Sequence, residues 1–149
     1  ERGQEPGAKE VTGDRQHLWT PVSVTRFVRD CLVMEDGKAL HLGRGAHGAW
    51  LGGGKAVGIV DAPTHFGRIS YEMKYDTAAG QVSGRVSLMR KEGENLLSPD
   101  AVVLHVRLPK GLKIASVDAG SKASVAADGS GLQWEAFTGE QTFQAVVAR

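Results

Sequence analysis

Hydrophobic and polar residues alternate without a fault through Arg68-Ile69-Ser70-Tyr71-Glu72-Met73-Lys74-Tyr75. Ile69, Tyr71, Met73 and Tyr75 fall on one face, and Arg68, Ser70, Glu72 and Lys74 on the other. A period of two marks a strand with one buried side and one wet side. The same pattern predicts strands over 38–42 (Leu40 and Leu42 on one face), 56–60 (stopped by Asp61-Ala62-Pro63), 67–75 and 81–89 (Val82, Val86 and Leu88 inward). Further strands are predicted over 101–108, 114–118, 123–127, 132–136 and 141–147. In 101–108, Val102, Leu104, Val106 and Leu108 face in while His105 and Arg107 face out. Asp128-Gly129 supplies a hairpin turn. About nine short strands at intervals of roughly 8–12 residues predict an all-β fold, an antiparallel β-sandwich, rather than a parallel sheet with helical crossovers. A closed barrel would show the same alternation.

One segment breaks the period. Val24, Phe27, Val28, Cys31 and Leu32 recur at helical spacing, Thr20 can cap, and Pro21 suits a first helical position. The spacing predicts one N-terminal helix over 20–36, ended by Asp36-Gly37. Its apolar stripe needs a cover, either the sheet or a helical domain elsewhere. Residues 1–19 read as a polar linker or arm, with Gly3, Pro6, Gly7 and Gly13 and no apolar periodicity, and 20–149 as the sandwich with its leading helix. Residues 43–54 carry six glycines around Ala49-Trp50-Leu51, the pattern of a long loop with one aromatic anchor.

Composition narrows the function classes more than it names one. The chain has 149 residues, which suits a single domain with a real core. Its 18 basic and 17 acidic residues leave a net charge of +1, without the positive field that nucleic-acid binding requires. No apolar run approaches the length of about 20 residues that spans a membrane. The single Cys31 excludes an internal disulfide, and its place in an apolar helical pattern reads as an inert buried thiol. The chain opens Glu1-Arg2-Gly3 without an initiator methionine or a signal peptide, so it is expected to be processed or cut from something longer.

No motif specifies a chemistry. The five histidines, His17, His41, His47, His65 and His105, show no zinc spacing. His41 and His47 flank the glycine-rich loop and His65 lies in the next turn, so those three are the candidates for a shared site with Asp61. His105 reads as a solvated strand position. Most Asp residues sit where turns call for them, and no pair of carboxylates presents itself for glycoside hydrolysis. Gly52-Gly53-Gly54-Lys55 resembles a phosphate loop only superficially, because Ala56 replaces the hydroxyl residue and no helix pattern follows. No Gly-x-Ser-x-Gly elbow occurs. Of the three tryptophans, Trp134 alternates with core positions, whereas Trp50 either pins its loop to the sheet or faces a ligand.

The run Leu32-Val33-Met34-Glu35-Asp36-Gly37, then Leu40-His41-Leu42, Ala49-Trp50-Leu51, Gly54-Lys55 and Asp61 through Tyr71, resembles the C-terminal β-sandwich region of large bacterial six-hairpin glycosidase-like proteins. In that family a toroid of paired helices carries the catalytic site, and its last helix runs into a Met-Leu-Val-x-Glu-Asp-Gly-like turn, matched here by Phe27 to Gly37. The resemblance covers about a third of the chain well. It implies a non-catalytic accessory domain of a carbohydrate-processing protein, with no cofactor, partnered by an upstream helical toroid of the same polypeptide. The parent would be a glycoside hydrolase or lyase, periplasmic or extracellular if it degrades polysaccharide. Where the family often carries Pro-Arg before Ala-Trp-Leu, this chain has His47-Gly48, so an arginine contact to sugar is lost there, although Arg44 lies nearby. Two alternatives remain. One is a carbohydrate-binding module with Trp50 as the stacking platform, joined by Arg44, His41, His47 and His65. The other is a small metal- or acid–base-dependent enzyme built on His41, His47 and His65.

Overall fold

The computed structural model describes residues 19–91, 93, 96–135 and 137–149. The arm expected over 1–19 lies outside them except for Trp19. Ten strands form two five-stranded sheets, so the expected β-sandwich is observed. Helix α1 (Trp19–Leu32) leads into β1 (Val33–Asp36) and β2 (Ala39–Leu42). A short helix α2 (Gly48–Gly52) precedes β3 (Val57–Thr64), β4 (Gly67–Asp76), β5 (Gln81–Met89) and β6 (Ala101–His105). Then come β7 (Lys113–Val117), β8 (Ser124–Val125), β9 (Gly131–Glu135) and β10 (Gly139–Ala148).

One sheet runs β1-β2-β6-β9-β8 and the other β3-β4-β5-β10-β7. All pairings are antiparallel except β2 with β6, where Leu40 lies beside Val102 and Leu42 beside Leu104. That parallel seam closes over β3, β4 and β5, which lie between its strands in sequence and build the opposite sheet. The space between the sheets holds Ile69, Tyr71, Met73, Val82, Val86, Leu88, Val102, Leu104 and Val106, all buried as the alternation predicts; Leu108 is only half-buried. Each such aliphatic side chain contributes about 1.5–3 kcal/mol through its removal from water. Trp134 is in the core as expected. Its Nε1–H donates to the Ser121 carbonyl at 2.8 Å, and its ring meets Phe143 edge-on with centroids 5.8 Å apart.

Several boundaries differ from the reading of the sequence. The helix stops at Leu32, and residues 33–36 form β1 instead of its last turn. Asp36-Gly37 turns a tight hairpin in which Gly37 (φ 59°) takes the left-handed conformation that a two-residue connection requires. Asp61-Ala62-Pro63 does not end β3. The register slips between Ile59 and Ala62, Asp61 adopts φ 58°, and the strand runs on to Thr64. Pro63 is tolerated because β3 is an edge strand. In the glycine-rich loop the buried anchor is Leu51 rather than Trp50, because α2 turns Leu51 inward and leaves Trp50 44% exposed.

Candidate functional site

His41, His47 and His65 do not gather as a triad; each engages a different neighbour. His47 caps α2, its Nδ1 accepting the Ala49 N–H at 3.2 Å. His65 belongs to the turn after β3, where its N–H donates to Glu35 Oε1 at 2.6 Å and its exposed ring approaches the same oxygen at 3.1 Å. Asp61 is bound by the Arg68 guanidinium, which also donates to the Asp61 carbonyl at 2.8 Å. Among the described residues, no three His, Cys, Asp or Glu side chains are placed to hold a metal ion.

His41 instead meets His105, the residue that sequence alternation had assigned to a solvated position. Both lie on the outer face of their sheet, on the parallel neighbours β2 and β6. His41 Nδ1 and His105 Nε2 are 2.9 Å apart, with ring centroids 5.2 Å apart and planes tilted by 31°. The separations fit rings meeting head-on, so one N–H lies between the two nitrogens. Arg107 Nη2 donates to the Arg44 carbonyl at 2.7 Å, and Arg44 Nη1 reaches Asp36 Oδ2 at 3.3 Å, which sets two guanidiniums beside the imidazoles. Burial, then His41 and the arginines Arg107 and Arg44, pull the His105 pKa down to about 4. Burial and Arg44 also lower His41, with Asp36 opposing. The couple is therefore neutral at neutral pH, a hydrogen-bonded clip across the parallel seam. The buried Tyr71 hydroxyl lies beside the Gly43 backbone, whose hydrogen bond only partly offsets the burial that raises its pKa.

The second feature is apolar. Helix α1 has no buried residue. Only Arg29, Cys31 and Leu32 at its C-terminal end are half-covered, and Arg29 Nη2 ties that end to the Pro63 carbonyl at 2.6 Å. Along the stripe, Val24, Phe27 and Val28 are 55%, 70% and 47% exposed. The stripe ends at Leu32, which with Trp50, Lys55, Ala56, Val57 and Gly58 lines an apolar cleft of about 330 Å³. Of the residues singled out in the sequence, His41 and Arg44 thus share one locality with the unforeseen His105 and Arg107. Trp50 belongs to the apolar cleft, and His47 and His65 serve local structure.

No family model, curated protein or solved structure matches this chain.

Proposed function

We propose that the chain is a non-catalytic accessory domain of a carbohydrate-processing protein, and that α1 with the Leu32–Trp50 cleft is the surface on which a helical catalytic domain of the same polypeptide rests. The observation that carries this reading is the uncovered stripe of α1. A helix of 14 residues is marginal in water on its own, and packing of an amphipathic face normally supplies its stability. Here the sandwich touches only its last turn, while Val24, Phe27 and Val28 face solvent. The carbohydrate setting comes from the resemblance of residues 27–75 to the six-hairpin glycosidase-like proteins. Trp50 fits this reading better than it fits a free sugar platform, because its ring borders the same apolar cleft as Leu32.

The reading frame upstream of Glu1 provides the first test. Paired amphipathic helices over a long stretch support the proposal; a frame that starts within a few residues of Glu1, or just after a signal peptide, refutes it. The second test supplies that helical region in trans. Wild-type chain should bind it, and Phe27→Glu with Val28→Glu should not, with the variant's own unfolding midpoint unchanged. Equal binding by the variant would remove α1 from the interface. The isolated chain should hydrolyse no glycoside.

A further inference from the structure

The opposite sheet carries a second surface, polar rather than apolar. An open groove of about 490 Å³ runs over the outer face of β3, β4, β5 and β10, lined by Val60, Ser70, Glu72, Arg85, Ser87 and Glu140 among others. Strand alternation puts these side chains outward, opposite the buried Ile69, Tyr71, Val86 and Leu88. Register then aligns them across the strands. Ser70 lies opposite Ser87, and Ser87 opposite Glu140, while Glu72 lies opposite Arg85 in the next row.

Two features mark the groove as more than solvated sheet. Glu72 and Arg85 are directly opposed charges, a cross-strand arrangement that ordinarily closes into an ion pair. Neither side chain makes a hydrogen bond or ion pair with the described residues, nor does that of Glu140, so a carboxylate, a guanidinium and a second carboxylate stand open side by side. The rim is also built at a conformational cost. Asp61 sits at φ 58°, held there by Arg68 and by its own N–H donating to Ser70 Oγ at 2.8 Å. This bulge turns Val60 out to 84% exposure at the edge of the groove.

We infer that this face binds a linear, neutral oligosaccharide lying across the strands. Neighbouring strands are about 4.8 Å apart, so Ser70, Ser87 and Glu140 present hydroxyl, hydroxyl and carboxylate at intervals close to the length of one hexose ring. Vicinal sugar hydroxyls would donate to Glu72 and Glu140 and accept from Arg85, satisfying both signs of charge at once. Two carboxylates against one guanidinium disfavour an anionic polymer, and the polar lining disfavours a lipid. The choice of sugar among neutral polar ligands rests on the proposed carbohydrate setting; the groove itself does not depend on α1 docking.

The test is a titration of the ¹⁵N-labelled chain with neutral hexasaccharides (gluco-, manno- and xylo-configured) and with an oligogalacturonate, read by amide shifts. Expected are millimolar binding of at least one neutral chain, with shifts at 70, 72, 85, 87 and 140. Glu72→Gln and Arg85→Gln, both exposed and harmless to folding, should each weaken it about fivefold, and Trp50→Ala should leave it unchanged. Loss of binding in Trp50→Ala with no shift on β4 or β5 would overturn the inference, as would tighter binding of the oligogalacturonate or an absence of shifts with every neutral sugar. Failure here with intact binding of the helical region would leave the docking proposal standing, and the reverse outcome would leave the groove.

Discussion

The His41–His105 clip makes acid stability a direct reading of the structure. An unperturbed histidine in the unfolded chain titrates near 6.5, whereas burial and the neighbouring His41, Arg107 and Arg44 hold His105 at about 4 in the fold. The folded pKa is depressed, so between those values the unfolded chain binds more protons than the native one. Stability is therefore full above about pH 6.5 and is lost as the pH falls towards 4, below which the loss levels off. The gap sets a ceiling of about 3 kcal/mol at about 1.4 kcal/mol per pH unit. His105 is only half-buried, and water screens what it can reach, so roughly 1–2 kcal/mol should survive. His41 is lowered as well and acts in the same window. Asp61 and Asp128 do not confuse the window, because their carboxyl pKa values are depressed from an already low starting point by Arg68 and by Ser130, and their effect falls below about pH 4.

Urea unfolding at half-unit steps from about pH 7.5 to about 4 measures this directly. The wild-type unfolding free energy should drop by roughly 1–2 kcal/mol across the lower part of that range, and His105→Gln should flatten at least half of the slope while costing under about 1 kcal/mol at neutral pH. A wild-type curve that stays level between about pH 6.5 and 4.5 would refute the reasoning. So would a His105 imidazole found by NMR to titrate above about 6.

Other perturbations follow from single contacts. Trp134→Phe removes the hydrogen bond to the Ser121 carbonyl and opens space beside Phe143; guanidinium unfolding should show a loss of roughly 2–3 kcal/mol. Gly84→Ala would set a Cβ 2.1 Å from the Glu72 carbonyl oxygen and Gly131→Ala one 2.1 Å from that of Leu104. Both obstacles are backbone, so each variant should lose more than about 3 kcal/mol or fail to fold, as judged by near-ultraviolet circular dichroism. At the bulge, Asp61→Asn should shift the thermal midpoint little, because Asn tolerates the left-handed backbone, whereas Asp61→Val should lower it sharply, a β-branched side chain being strained at φ 58°.

The strands were legible wherever one face is buried and the turn chemistry is explicit. Residues 67–76 and 81–89 emerge almost to the residue, because a one-residue slip would put Glu72 and Lys74 into the core. Legibility failed where two local signals compete. Val33-Met34-Glu35-Asp36 can continue the apolar period of α1 or alternate as a strand, and only pairing with residues 39–42 decides for the strand. At Asp61-Ala62-Pro63 the turn composition is real, but it serves a bulge, since an aspartate can take the left-handed conformation and let an edge strand resume.

Sites made by long-range pairing were not legible at all. His41 and His105 are 64 positions apart and meet only because β2 and β6 run parallel, a pairing that no local pattern encodes. Glu72 and Arg85 were each readable as outward-facing, yet their opposition depends on the β4–β5 register, and their failure to pair depends on side-chain geometry. The stripe of α1 is the opposite case. Its periodicity states plainly that something must cover Val24, Phe27 and Val28, but the sequence of a strand-rich domain offers its own sheets as the obvious cover. The fold turns the chain into β1 directly after Leu32, and among the described residues the sandwich holds the last turn of the helix, through Arg29 on the Pro63 carbonyl and through the Gly43 and Gly45 N–H groups donating to the Leu32 and Cys31 carbonyls. An amphipathic helix placed against its own domain would explain itself; this one is left bare along its stripe by the described residues, and the docking proposed above is what would account for it.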